Sequence, residues 1–82
     1  MNRRTLYVGG LSPATKLEPL RVMLEQFGLI EDIRMTTRRS STGENPGIAY
    51  VTFKTSESAM AARRVLDGSE LDGARIRVDI AR

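Results

Sequence analysis

Apolar and polar positions along this chain alternate with two periods, and the switches between them mark six elements. Thr5 to Val8 sets Leu6 and Val8 against Thr5 and Tyr7, then stops at Gly9-Gly10, which predicts a short strand. Leu11 to Thr15 contains Pro13 and reads as a turn. From Lys16 to Phe27 the apolar residues Leu20, Met23, Leu24 and Phe27 recur at helical spacing. Pro19 fits the first turn of that helix and Gly28 its C-terminal stop. Ile30 to Met35 predicts a second strand, with Ile33 and Met35 opposed to Asp32 and Arg34. Thr36 to Pro46 has no apolar anchor and is expected to be a mobile loop. Ile48 to Phe53 is β-branched, aromatic and free of charge, the strongest strand signal in the chain. Thr55 to Leu66 predicts a second helix, capped by Thr55 or Ser56, with Ala59, Ala62 and Leu66 as its buried stripe and Gly68 as its stop. Met23 and Met60 are both expected to pack inside. Asp72-Gly73 is a tight-turn dipeptide. Arg75 to Ala81 alternates Ile76, Val78 and Ile80 against Arg75, Arg77 and Asp79 as the last strand.

The order β-α-β-β-α-β, with right-handed crossovers, predicts an α+β fold on the ferredoxin-like plan: a four-stranded antiparallel sheet with two helices packed on one face. Each helix has a single apolar stripe, so together they cover one side of the sheet and leave the other to water. The first and third strands are central in this topology. If Leu6, Val8, Ala49, Val51 and Phe53 face the helices, then Tyr7, Ile48, Tyr50 and Thr52 face outward. Asp32, Arg34, Arg75, Arg77 and Asp79 face outward by the same parity. A lone exposed tyrosine is often only a good strand former. Two on adjacent central strands, edged by guanidinium groups, make a platform on which nucleobases can stack while phosphates are held around it.

Composition narrows the chemistry. The 82 residues suffice for one small domain, 1–82, with no internal repeat or linker. There is no cysteine and no histidine, which removes disulfides, thiolate metal sites, the commonest metal ligand and the His-dependent nucleophilic triads. No cofactor motif is present: Gly9-Gly10 has no lysine or helix start at the spacing of a phosphate-binding loop. Glu31-Asp32 lies on a strand without a pocket, so no enzyme activity is expected. No apolar run exceeds four residues, as at Ala59 to Ala62, so no membrane partner is expected. Thirteen Lys and Arg against ten Asp and Glu give +3, and all but two of the thirteen are Arg, the residue suited to bidentate phosphate contacts and to stacking on bases. The absence of cysteine suits an intracellular protein, without choosing between cytoplasm and nucleus.

Leu6-Tyr7-Val8-Gly9-Gly10-Leu11 resembles the short hexamer of the RNA recognition motif family, and Pro46-Gly47-Ile48-Ala49-Tyr50-Val51-Thr52-Phe53 resembles its octamer. The resemblance extends from Thr5 to Ala81 and takes in Phe27-Gly28 and the segment from Leu66-Asp67-Gly68 to Gly73. It implies single-stranded RNA as the partner and a role in RNA processing or post-transcriptional regulation, with two successive bases stacked on Tyr7 and Tyr50. Four positions depart from the pattern, one of them Arg63 in the second helix, which occupies a place that is often apolar. Pro46 replaces the basic residue that opens the octamer. Ile48 replaces a third aromatic, so it can touch ribose but not stack. Gly10 stands where Asn is frequent.

The expected contact set is therefore Tyr7, Tyr50, Ile48 and Thr52 on the platform, with Arg34, Arg75, Arg77, Arg82 and the loop pair Arg38 and Arg39 around it. No residue announces a contact to the 2′-hydroxyl, so single-stranded DNA stays open beside RNA. The expected state is a monomer. The alternative is a protein-interaction module, with a partner on the helical face; Val22 is the apolar residue there that hints at one.

Overall fold

The backbone turns at places the side chains dictate. The first strand, β1 (Thr5–Leu11), runs past the glycines that were expected to end it. Gly10 takes φ 74°, a left-handed conformation that glycine adopts freely, and the pairing register slips between Val8 and Leu11. Gly9-Gly10 is thus an irregularity inside a strand, and Leu11 re-enters the core beyond it.

The remaining elements are α1 (Leu17–Glu25), β2 (Ile30–Thr36), β3 (Arg39–Ser40), β4 (Gly43–Glu44), β5 (Gly47–Phe53), α2 (Ser56–Leu66), β6 (Glu70–Leu71), β7 (Ala74–Arg75) and β8 (Arg77–Ile80). The computed structural model describes residues 3–36, 39–40, 43–44 and 47–81, with side chains at 3–35 and 47–81. Strands β2, β5, β1 and β8 form one antiparallel sheet in that spatial order, so β1 and β5 are central as the topology predicts. The helices cover one face. Leu20 and Leu24 of α1, and Ala59, Ala62 and Leu66 of α2, close over Leu6, Val8, Val51, Phe53 and Val78 of the sheet. The two alanines keep α2 close to the strands beneath it.

Helix termini follow local chemistry. Thr55 rather than Ser56 caps α2: its Oγ1 accepts from the Ser58 backbone N–H at 3.1 Å. Helix α1 stops short of Phe27 because its last turn tightens, Phe27 N–H donating to Leu24 O and Gly28 N–H to Glu25 O. Met23 packs on the core as expected, but Met60 is exposed on the outside of α2.

Two segments differ from expectation. The stretch between β2 and β5 is not loop throughout: β3 and β4 pair as a short antiparallel ladder, Arg39 opposite Glu44. The last strand is interrupted. Ile76 donates its N–H to Ser69 O at 2.8 Å and accepts from Gly68 N–H at 2.9 Å, so its backbone pairs with the segment after α2 and not with β1. Consequently β6 and β7 form a hairpin of their own, turned by Asp72 (φ 52°) and Gly73 (φ 80°), the positive-φ pair of a type I′ turn. Only from Arg77 does the chain join the main sheet.

Candidate nucleic-acid interface

The side chains that parity assigns to the open face lie in cross-strand rows. One row runs Arg34, Tyr50, Tyr7, Asp79 across β2, β5, β1 and β8. Tyr50 keeps 44% of its surface exposed, and Tyr7 is half-buried. Their ring centroids stand 5.8 Å apart with planes at 63°, an edge-to-face pair. Neither ring is underneath the sheet, so two aromatic groups occupy the middle of the uncovered side.

A second row brings Asp32, Thr52 and Thr5 together, and the threonine hydroxyls share a hydrogen bond of 2.9 Å. Ile48, half-buried, precedes Tyr50 by two residues and stands opposite Thr36. Arg77 stands opposite Gly9, two residues along β1 from the Tyr7–Asp79 pair. Arg75 is not in these rows. It belongs to the hairpin, opposite Glu70, because the break at Ile76 removes it from the main sheet. Arg38 and Arg82, the side chain of Arg39, and Pro46 lie outside the described residues.

Charge on this face is largely compensated. Arg34 Nε donates to Asp32 Oδ2 at 3.1 Å along its own strand. Asp79 begins in the tyrosine row, but its Oδ1 accepts from Arg63 Nε of α2 at 3.0 Å and from the Ile80 backbone N–H at 2.8 Å. That ion pair reaches round the rim of the sheet and joins its two sides. Arg63, where the helical pattern favours an apolar residue, is thus accommodated by an acid on the edge strand. Just before β1, Arg4 Nη1 donates to Glu31 Oε1 at 3.0 Å. Among the described residues Arg77 has no acid partner. No group of three or more acidic side chains among them comes close enough together to hold a metal ion, and none of the described helices is long and apolar enough to cross a membrane.

A βαββαβ sheet with paired aromatics on its open side invites comparison with known proteins, and a family model of the RNA recognition motif matches residues 6–77. The chain belongs to that family. The Arabidopsis thaliana glycine-rich RNA-binding protein 5, mitochondrial, is 38% identical over 81 residues, 99% of this chain and 27% of the relative. This RNA recognition motif spans between about a quarter and about a half of the length of the glycine-rich curated relatives it matches. Among solved structures, the Mip6 RRM3 domain aligns with TM-score 0.88 at 21% identity, covering 100% of this chain and 96% of that one. The Sxl-lethal protein/RNA complex aligns with TM-score 0.83 at 28% identity, covering 96% of this chain and 47% of that one.

Some features of the face carry a signal in the sequence beyond strand parity. The Asp32-x-Arg34 spacing puts two opposite charges on one side of a strand, which foretells their pairing. Gly9, two residues after Tyr7 and so on the same side of the strand, lies directly beneath the Tyr7 ring. The Arg63–Asp79 contact had no such signal, since it depends on how α2 crosses the edge strand.

Proposed function

We propose that the open face of the sheet binds single-stranded RNA, with two successive bases stacked on Tyr7 and Tyr50. The observation that carries this reading is the pair of rings at 5.8 Å in the centre of an uncovered sheet. Membership of the family, and relatives whose names describe RNA-binding proteins, support it. Ile48 contributes apolar contact to ribose, Thr52 a hydroxyl, and Arg34 and Arg77 contacts to phosphate. Arg75 reaches phosphates only from the hairpin beside the sheet. Residues 1–82 act as one binding unit, in RNA processing or post-transcriptional regulation.

Stacking on an aromatic is worth about 1–3 kcal/mol per base. Two platforms and a few phosphate contacts give micromolar-scale affinity for a short stretch. Titration of a short RNA into wild type, Tyr7→Ala and Tyr50→Ala tests the reading. Each substitution should weaken binding by about 1–3 kcal/mol while the circular dichroism spectrum stays native. Unchanged affinity in both variants would overturn it. Parallel titration with a DNA strand of the same sequence decides whether the 2′-hydroxyl matters.

A second reading, a protein partner on the helical face, is favoured by apolar side chains left in water there. Val22 of α1 is 55% exposed, and Met60 and Val65 of α2 are 53% and 58% exposed. Amide shifts mapped during the RNA titration separate the two: the RNA reading places them on β1 and β5, and a partner on the helices would move α1 and α2.

A further inference from the structure

The Tyr7 ring does not stand up from the sheet. It leans along its own strand, over Gly9. A Cβ built on Gly9 would lie 2.7 Å from Tyr7 Cζ and 2.8 Å from Cε2, and would overlap the phenol oxygen. These separations are well inside van der Waals contact, so the ring rests where any other residue's side chain would begin. The backbone at Gly9 does not itself demand glycine. Gly10, Gly28, Gly68 and Gly73 take positive φ, and Gly9 does not. Alanine is therefore compatible with the Gly9 backbone and incompatible with the Tyr7 ring in its present position.

We infer that Gly9 is a positioning residue for the interface: the bare backbone at this point sets the tilt of the Tyr7 ring and its edge-to-face relation to Tyr50. This rests on the stacking reading above and deepens it. A methyl group at position 9 lifts the ring about its χ torsions. The 63° relation to Tyr50 changes with it, and with it the surface offered to the first of two stacked bases. A purely structural role for Gly9 would instead appear as lost stability. Removing only the phenol oxygen does not make room, because the ring carbons Cζ and Cε2 also collide with the new methyl.

The test is a double-mutant cycle read by RNA titration, with thermal unfolding and aromatic NMR spectra on the same samples. Tyr7→Ala should weaken binding about 5- to 140-fold, the worth of one stacked base converted at 1.4 kcal/mol per tenfold. Gly9→Ala should keep its melting temperature, shift the Tyr7 and Tyr50 ring resonances, and bind at least about 5-fold more weakly. Tyr7→Phe with Gly9→Ala should bind as weakly as Gly9→Ala alone. On the Tyr7→Ala background, Gly9→Ala should cost nothing further. Wild-type affinity for Gly9→Ala, beside a weakened Tyr7→Ala, overturns the inference and leaves the stacking reading standing. A silent Tyr7→Ala overturns the inference and removes Tyr7 from the stacking surface, and a silent Tyr50→Ala beside it overturns the stacking reading as well. Should Gly9→Ala lose its fold, the double variant with Tyr7→Ala decides: native stability there assigns the clash to the ring, and unfolding there as well overturns the positioning role.

Discussion

At the scale of single residues, the two arginines on the open face are unequal although parity assigns them the same role. Arg34 is already paired with Asp32, whereas Arg77 has no acid partner among the described residues. Both members of the Arg34–Asp32 pair are more than half exposed, and such pairs are worth only about 0–1 kcal/mol. A phosphate can therefore displace Asp32 at small cost, but the carboxylate stays nearby and repels it. For single strands each neutralised phosphate contributes about 0.7 to the slope of log affinity against log salt. Arg77→Ala should lower that slope by about 0.7, and Arg34→Ala by less. Asp32→Asn should tighten binding a few-fold and steepen the slope. Fluorescence anisotropy titrations across a salt series check all three, and a slope unchanged by Arg77→Ala removes that residue from the contacts. Parity alone could reveal which side these charges face, because period-two alternation is written in each strand. It could not reveal Arg63 as the partner of Asp79, which depends on the crossing of a helix and a strand.

At the scale of elements, the strong periodic signals in the sequence became the strands and helices observed, and the misreadings fall where the backbone uses hydrogen bonds that periodicity does not register. Ile76 alternates correctly with Val78 and its side chain is buried, yet its backbone bonds to Gly68 and Ser69. Arg75 consequently pairs with Glu70 in the hairpin and not in the ladder that alternation predicts. The bulge at Gly9-Gly10 escapes periodicity for the opposite reason: two glycines read as a strand end, yet Leu11 beyond them is fully buried. The junction that re-aims the chain into β8 depends on Asp67, whose Oδ1 accepts the Val78 backbone N–H at 3.0 Å. Removing that acceptor leaves a partly buried donor without a partner, at a cost of about 1–3 kcal/mol. Asp67→Ala should therefore lower the urea midpoint and speed amide exchange at Val78. Asp67→Asn, which keeps an oxygen at the same place, should recover most of the loss. Equal destabilisation by both would mean that charge, not the hydrogen bond, holds the junction.

At the scale of the whole molecule, the fold separates stability from the candidate site by placing them on opposite sides of one sheet. Strand β5 makes the separation testable within a few residues, since Tyr50 points to water and Phe53 is fully buried in the core. At about 0.05–0.15 kcal/mol per residue, a chain of this size has only about 4–12 kcal/mol of stability. Phe53→Ala should cost about 3–5 kcal/mol, a large share of that total, through lost burial and the cavity left under α1 and α2. Tyr50→Ala gives up its edge-to-face contact with Tyr7, about 0.5–1.5 kcal/mol, and some cover from its strand neighbours, but opens no cavity in the core. For a domain of this length each kcal/mol moves the melting temperature by about 4–8 °C. Thermal unfolding should therefore show a small downward shift for Tyr50→Ala and a collapse of the transition for Phe53→Ala. RNA titration should show lost affinity in both, but only Tyr50→Ala should do so while still folded. Were Tyr50→Ala to unfold like Phe53→Ala, the tyrosine row would be holding the sheet together, and its exposure would no longer argue for a ligand.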